Sequence, residues 1–532
     1  MTFVYKIART KQEFNQIHRL NYKTFVEEIP QHDKNEEKML VDKFHDQNTY
    51  LICVKDSKVV GMIAVRAKRP FSLDYKLHNL DEQLPVKPSK PCEIRLLSVE
   101  EEYRSNGRIF FGLAQLMSNF CLKEGYDVAL ISGTTRQEKL YRQLGFIPFA
   151  SLTGSEEASF WPMYLTKQTF DESLAGRILK EPVSFLPGPI KIHENVNAAL
   201  KQEPISHRSN EFLLQMRSVR EKLCSMTNSK HVEVLVGSGT LANDVIAAQL
   251  AVIGGKGLIL NNGEFGSRLI DHANRAGLSF KKLEKDWGVP ITETEIKKEL
   301  GTGHYTWLWA VHSETSTGML TNFQNLKEIC LSNKVNLCLD CISTVGAVKL
   351  DLQDVYFASG VSGKAIGGYT GLSFVFHNHD ITPNPSIPRY LDLGMYANHD
   401  SIPYSHSSNM LEALYEALKK YENDDCYQKI KERYKMIREY IEGLGLQILT
   451  PPEYSSPAIM TILLPEHVSS KDFGDDMALQ GYYLHYESHY LQEKKWIQIS
   501  CLSSHEEKQM LKMLRTFELL LNQYEIVGEP SF

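Results

Sequence analysis

Apolar and polar positions follow two different rhythms along this chain, and the change of rhythm predicts where strands and helices lie. Apolar blocks at 49–54 and 58–66 flank the polar turn Asp56-Ser57, which predicts a strand hairpin. A third strand is expected at 93–99. Ile109, Phe110, Leu113, Leu116, Met117 and Phe120 then recur every three or four positions, placing an amphipathic helix at 107–123. A strand at 128–132, a helix at 137–144 and short strands near Phe146 and Met163 complete a mixed α/β unit at 1–168.

Residues 169–184 are charged and lack a strong period, so a linker is expected there. Beyond it, short apolar runs at 232–236, 257–260, 306–311, 335–339, 355–359 and 373–376 are separated by helical segments. Strand followed by helix, repeated, predicts a mostly parallel sheet with helices on both faces. This gives an α/β large domain at 185–405, after which helical stretches at 407–420 and 427–444 open a small α/β domain at 406–532. There is no convincing internal repeat and no low-complexity tract.

A chain of 532 residues allows two to four domains at roughly 100–200 residues each. With 42% hydrophobic and 23% charged residues, the composition is that of a globular protein. The net charge is −6, from 59 basic against 65 acidic residues, without a long basic run, which argues against nucleic acid as a partner. No apolar stretch approaches the about 20 residues a membrane span needs, and no apolar leader follows Met1, so a cytoplasmic protein is expected. The nine cysteines read as free thiols. Cys338 and Cys341 form a C-x-x-C at the end of an apolar run, which favours a buried structural pair over redox or metal work. No second pair completes a zinc site, and no metal is expected.

Gly237-Ser238-Gly239-Thr240 lies between a strand and a helix at 241–251. Small residues let the backbone approach an anion, and a helix start offers unpaired N–H groups and a positive dipole end. The same four residues would also make a plain tight turn. Asp340 ends a strand at the carboxyl edge of the predicted parallel sheet, where ligands of such folds collect. Lys364 follows after one more strand, in a loop. A carboxylate facing a pyridinium nitrogen and an amine able to form a Schiff base are what pyridoxal 5′-phosphate requires. Desolvation would lower the lysine pKa and free the amine.

The stretch 185–377 resembles the class V aminotransferases, which have the pyridoxal-phosphate fold type I, and within them the branch of alanine–glyoxylate and 2-aminoethylphosphonate transaminases. The resemblance rests on motifs in a common order: Pro187-Gly188-Pro189, His207-Arg208-Ser209 with Glu211-Phe212, Gly237-Ser238-Gly239-Thr240 and Asn262-Gly263-Glu264-Phe265-Gly266. His312-Ser313-Glu314-Thr315-Ser316-Thr317-Gly318, Asp340 and Lys364 complete the series. It implies that Ser238, Gly239 and Thr240 hold the phosphate, Phe265 stacks on the ring and Ile342 packs on its other face. Thr315 would contact the ring hydroxyl, Asp340 the ring nitrogen, and Lys364 would carry the cofactor and shuttle the proton. Ser405 would approach the phosphate from a second subunit of a homodimer. Gly188, Arg208 and Gln498 are candidate substrate contacts. The family places an arginine where Trp496-Ile497-Gln498-Ile499-Ser500 has Gln498, and loss of a bidentate cation weakens carboxylate binding roughly ten- to a hundredfold unless Arg208, Lys494 or Lys495 substitutes. Gly363 also departs, since a polar residue often precedes the lysine.

In the first unit, the strand at 93–99 runs into Arg104-Ser105-Asn106-Gly107-Arg108 and a helix, and N–H groups in such a turn can cradle a pyrophosphate. This resembles the pyrophosphate motif of GNAT acyltransferases, which implies that Val99, Arg104, Asn106, Gly107 and Arg108 meet acyl-CoA or an acyl-carrier arm. Ile109 departs from the small residue usual there. Tyr141 matches the tyrosine that protonates the departing thiolate. Phe25, Asp42, Asp46, Arg66 and the Glu93/Arg95 pair look similar to N-acyl amino acid and acyl-homoserine-lactone synthases, in which an acyl chain passes to an amine. Glu93 is a candidate to deprotonate that amine through water. A sheet-end charge for Glu93 and a core aromatic for Tyr141 are the structural alternatives.

The expectation is a bifunctional enzyme. It would join transamination between a small amine or amino acid, 2-aminoethylphosphonate- or alanine-like, and a 2-oxo acid to N-acylation from an acyl donor. The alternative is a pyridoxal-phosphate lyase or decarboxylase with a degenerate, regulatory acyl-donor-binding GNAT domain.

Overall fold

The computed structural model describes residues 3–29, 32–105, 107–154, 159–178, 182–423 and 425–528. The chain divides into two compact units, one formed by Met1–Val183, His467–Tyr483 and Arg515–Phe532, the other by Ser184–Glu466 and Leu484–Leu514.

In the first unit a seven-stranded sheet runs in the order Val4–Ile7, Asn48–Lys55, Lys58–Arg66, Pro91–Val99, Val128–Thr134, Phe160–Thr166, Ile147–Pro148. All neighbours are antiparallel except Pro91–Val99 with Val128–Thr134, which pair only through residues 91–93 and 128–130 and then part. Just past that point Leu96 takes a left-handed φ of 52°, where the register against Lys58–Arg66 slips. A bulge turns the strand away from its partner and leaves backbone groups facing the gap. The helix Arg108–Glu124 packs Leu113, Leu116 and Met117 on Leu51, Ile63 and Val65, and ends at Gly125, whose φ of 71° suits a residue without Cβ.

Segments from the far end of the sequence complete this unit. Asp476, on the helix Ser470–Leu479, pairs with Arg9 at 2.6 Å and accepts the Tyr524 hydroxyl at 2.7 Å. Asn119 Nδ2 donates to the Leu479 carbonyl at 2.9 Å, and Phe517 packs edge-on against Phe473. The stretch 406–532, expected as one small domain, is therefore divided between the two units. The expected linker is also partly ordered: Lys167–Asp171, capped by Thr166, and Leu174–Ile178 are short helices that bury Phe170 and Ala175.

In the second unit the sheet order is Ser279–Glu284, Lys256–Asn261, Trp307–Val311, Asn336–Asp340, Phe357–Val361, Leu372–His377, His231–Val236. The first five strands are mutually parallel, and Leu372–His377 runs antiparallel to both of its neighbours. Ser279–Glu284, which the apolar pattern does not reveal, is an edge strand carrying Lys281, Lys282 and Glu284, charges that deter pairing with another chain. Phe212, Met216, Leu326 and Phe374 belong to one apolar cluster of this unit; Val245, Leu250, Trp309 and Phe357 belong to another. A smaller antiparallel pair, Ile459–Leu463 with Trp496–Ser500, sets Thr461 opposite Gln498. Cys338 and Cys341 are fully buried free thiols, consistent with a structural pair.

Candidate active sites

Strands of the second unit end at Asn261, Val311, Asp340 and Val361, and the segments that follow them line a cavity of about 400 Å³. Of the residues singled out in the sequence, Gly188, Gly239, Phe265, Thr315, Ile342, Lys364 and Gln498 line it. Its size is that of a small-molecule pocket. Lys364 extends into it with one hydrogen bond, from Nζ to Ser343 Oγ at 2.9 Å, and Nζ lies 5.5 Å from the centre of the Phe265 ring. Burial pushes the Lys364 pKa below its usual 10.5; Arg268 acts in the same direction, and Asp340 and Glu314 oppose it.

Asp340 is held from behind. Asn243 Nδ2 donates to one carboxylate oxygen at 2.9 Å and the Ile342 N–H to the other at 3.0 Å, so the carboxylate is fixed in direction. The helix Gly239–Ile253 begins without a side-chain cap, and Ser238 and Thr240 stand exposed at that start. A Cβ on Gly239 would come within 2.6 Å of Ile342 Cδ1, so glycine is needed where that helix start approaches Ile342. An uncapped helix start, a desolvated amine and a fixed carboxylate around this cavity fit pyridoxal 5′-phosphate.

Glu314, buried at 2% exposure, organises the Phe265 segment. Its carboxylate accepts the N–H groups of Phe265 and Gly266 at 3.0 Å each, that of Ser316 at 3.2 Å, and the Ser316 hydroxyl. A side chain on Gly263 would overlap Glu314, so the glycine is needed for this close approach. Burial raises the Glu314 pKa, and the four donors pull the other way.

Gln498 is fully buried and fully engaged. Its Nε2 donates to the carbonyls of Thr315 and Ser316 at 2.7 and 3.0 Å and to Thr461 Oγ1 at 2.8 Å, while Oε1 meets His485 Nδ1 at 2.8 Å. It anchors the loop bearing Thr315 and has no donor left for a ligand. Arg208 and Ser405 are exposed and do not line the cavity. Sequence reasoning missed Arg268, His485, Ser488 and Tyr490, which do. Arg268 stands one helical turn beyond Phe265 and could have been found by that spacing; the other three have no local signal.

Because desolvation holds the Lys364 amine below 10.5, the unfolded chain binds more protons than the folded one between the folded pKa and 10.5, and cofactor-free stability gains from this group as pH rises through that window. Competitive acylation of the cofactor-free chain across pH is expected to give Lys364 a half-labelling pH below that of surface lysines; an equal midpoint would remove the desolvation argument.

In the first unit the strands Pro91–Val99 and Val128–Thr134 cease to pair beyond Glu93 and Leu130. Val99 ends one of them, and its carbonyl accepts Arg104 Nε at 2.7 Å, while Arg104 also pairs with Glu28 at 2.6 Å. Gly107, with φ 64°, opens the helix Arg108–Glu124, and Arg108 is exposed on its first turn; Asn106 lies outside the described residues. Tyr141 packs beside Gly133, at the end of the other parted strand, with its hydroxyl on Gln137 Oε1 at 2.9 Å. Burial raises its pKa, which keeps the phenol protonated at neutral pH.

Glu93 is buried and accepts the Ser72 and Leu73 N–H groups at 2.8 and 3.1 Å and the Ser72 hydroxyl. These bonds cap the helix Ser72–Lys76, and Arg95 Nη1 stands 3.5 Å from the same carboxylate. Arg95 pairs with Asp42 at 2.9 Å, and the Arg66 guanidinium lies 3.4 Å from the centre of the Phe44 ring. Phe25 lies in the π-helix Lys23–Glu28, and Asp46 is exposed.

A mostly parallel sheet with a desolvated lysine and a fixed aspartate at its carboxyl edge defines the second unit as a fold type I domain, and the parted strands define the first as GNAT-like. Comparison with known families agrees on both. The family model described as aminotransferase class-V matches residues 190–435, and that of the acetyltransferase (GNAT) domain matches 20–113. The chain thus carries a class V aminotransferase domain, which implies pyridoxal 5′-phosphate, together with a GNAT domain.

Among curated relatives, 2-aminoethylphosphonate–pyruvate transaminase of Pseudomonas fluorescens is 25% identical over 365 residues, covering 65% of this chain and 98% of the relative. The bifunctional phosphonoacetaldehyde hydrolase/aminoethylphosphonate transaminase of Clostridioides difficile is 26% identical over 304 residues, covering 53% of this chain and 47% of the relative. Alanine–glyoxylate aminotransferase from Nostoc sp. superposes with a TM-score of 0.59 at 25% identity, over 64% of this chain and 96% of its own. Ureidoglycine–glyoxylate aminotransferase from Bacillus subtilis shares the fold with a TM-score of 0.60 at 19% identity, over 66% of this chain and 96% of its own. Among the described residues no helix is long and apolar enough to cross a membrane, and no group of three or more His, Cys, Asp or Glu could hold a metal.

Proposed function

We propose that this chain is a bifunctional enzyme. Its second unit moves an amino group between a small amine bearing an anionic group, of the 2-aminoethylphosphonate or alanine kind, and a 2-oxo acid. Its first unit transfers an acyl group from a CoA or acyl-carrier thioester to an amine. The observation that carries the reading is the desolvated Lys364 amine in a cavity backed by the fixed Asp340 carboxylate.

Ser238, Gly239 and Thr240 would hold the cofactor phosphate at the helix start, Phe265 and Ile342 would flank its ring, Thr315 would meet the ring hydroxyl, and Asp340 the ring nitrogen. When bound, pyridoxal 5′-phosphate supplies an electron sink for the bond broken at the substrate Cα. Asp340 would keep the ring nitrogen protonated. Lys364 Nζ would hold the cofactor until substrate arrives and would then carry the proton from the substrate Cα to C4′ of the cofactor. Ser343 Oγ orients that amine between the two roles. The exposed Ser405 would serve the phosphate of a second copy in a homodimer.

In the first unit, the loop from Val99 to Arg108 would hold the donor's phosphates, and the parted strands its extended arm. The acceptor nitrogen forms a bond to the thioester carbonyl carbon, the C–S bond breaks, Tyr141 gives its proton to the departing sulfur, and the proton lost by the amine passes to water. Glu93 enters as a positioning group through its cap on Ser72 and Leu73.

A screen of amino donors on the full-length chain, phosphonates and sulfonates included, should bleach the cofactor's visible band, and a 2-oxo acid should restore it stoichiometrically. Consumption of donor without that restoration would favour the lyase reading. For the first unit, Tyr141→Phe should lower kcat for thiol release by about 10²-fold with KM for the thioester unchanged. Equal turnover in the variant would remove the acid role, and no turnover in the wild type would make the unit a binding module.

A further inference from the structure

A transaminase must bind a carboxylate, because every 2-oxo acid carries one, and a buried or half-buried anion needs a cation or several donors. Gln498 cannot serve, since all its polar atoms are spent on Thr315, Ser316, Thr461 and His485. The ionisable side chains on the cavity wall are Lys364, Arg268, His485 and Tyr490. His485 is held neutral by burial, with Nδ1 on Gln498 and Nε2 on Ser488 Oγ at 2.9 Å. Tyr490 is pushed up to about 12 by burial and stays neutral too. Lys364 is committed to the cofactor. Among the described residues, Arg268 is the one cation left on that wall.

Its placement suits the task. Arg268 projects from the helix Glu264–Arg275 one turn beyond Phe265, with its guanidinium carbon 4.8 Å from the centre of the same ring that Lys364 Nζ approaches. Its ion pair is with Glu264 through Nε at 3.2 Å, and the Arg268 side chain is 58% exposed. An exposed pair within one helix is weak and readily exchanged. The contact leaves the outer fork of two nitrogens, the geometry that takes a carboxylate or phosphonate bidentately.

We propose that Arg268 is the substrate-anion residue of the transaminase site, receiving the 2-oxo acid carboxylate and the anionic group of the amino donor. This rests on the transaminase reading and assigns the anion contact to the helix that bears Phe265, not to strand Trp496–Ser500. A site of this kind is partly open to solvent, so its selectivity among anions depends on the fork and on salt.

The test is calorimetric titration of the full-length chain with pyruvate, with and without pyridoxal 5′-phosphate. Arg268→Gln should weaken pyruvate binding about ten- to a hundredfold, and Arg268→Lys by less. Rising ionic strength should weaken binding to the wild type and not to Arg268→Gln. Cofactor uptake and its visible band should be the same in all three proteins. Pyruvate affinity that ignores residue 268 in both forms would overturn the inference. If the wild type took up no cofactor yet still bound pyruvate through Arg268, the anion site would stand and the transaminase reading would fall.

Discussion

Lys364→Ala is expected to abolish transamination, with kcat reduced by about 10⁴-fold, the upper end of what a positioned proton carrier supplies. In the proposed reaction one atom carries two duties. Among the described residues Lys364 Nζ is the only lysine nitrogen lining the cavity, and its partner there, Ser343 Oγ, cannot take its place as a base. Borohydride treatment of the loaded wild type should leave a pyridoxyl tag on Lys364 that Lys364→Ala lacks. The cavity should survive, because the helix start at Ser238, Gly239 and Thr240, proposed above to hold the phosphate, is a separate element from the loop that bears Lys364. Lys364→Ala is therefore expected to retain non-covalent cofactor with an altered band. A variant that kept full turnover, or a tag found on another lysine, would refute the assignment of the site.

Glu314→Ala should destabilise the second unit by about 3–5 kcal/mol, the range for removing one member of a buried charge-assisted network. Three backbone N–H groups and the Ser316 hydroxyl lose their shared acceptor at once, inside a site too closed for water to replace it fully. Glu314→Gln should cost less, since one oxygen still accepts, although its amide then faces donors. Two of the orphaned groups open the helix that carries Phe265 and Arg268, so both faults should appear together: a lower midpoint in denaturant and a weaker hold on the cofactor ring. Unchanged stability in Glu314→Ala would mean that the helix start is held by something else.

Apolar periodicity found the second unit's sheet because parallel strands buried on both faces appear as short unbroken apolar runs, and the six expected strands lie within about two residues of those observed. It missed Ser279–Glu284 for the converse reason: an edge strand turned to solvent carries Lys281 and Lys282 and looks like a loop. The residues gathered around Lys364 were legible where they sit in short motifs, as with Gly239, Phe265, Thr315 and Ile342. Tyr490 and His485 were not, because they arrive from a segment more than a hundred residues later with no pattern of their own. Glu93 makes a contact that its motif did not announce. Its motif suggested an acid–base group, and the fold uses its carboxylate to cap Ser72 and Leu73.

Local order along the chain was enough to specify the strands, the helix starts after Gly107 and Ser238, and the placing of a lysine and an aspartate at one sheet edge. These depend on residues close together in sequence, whose periods and backbone preferences act before any long-range contact forms. Folding alone set the direction of the Asp340 carboxylate, the complete engagement of Gln498 and the return of Asp476 to Arg9 across 467 positions. Each of these is a pairing of distant polar groups whose energy exists only once both have left water, and no window of sequence contains both partners.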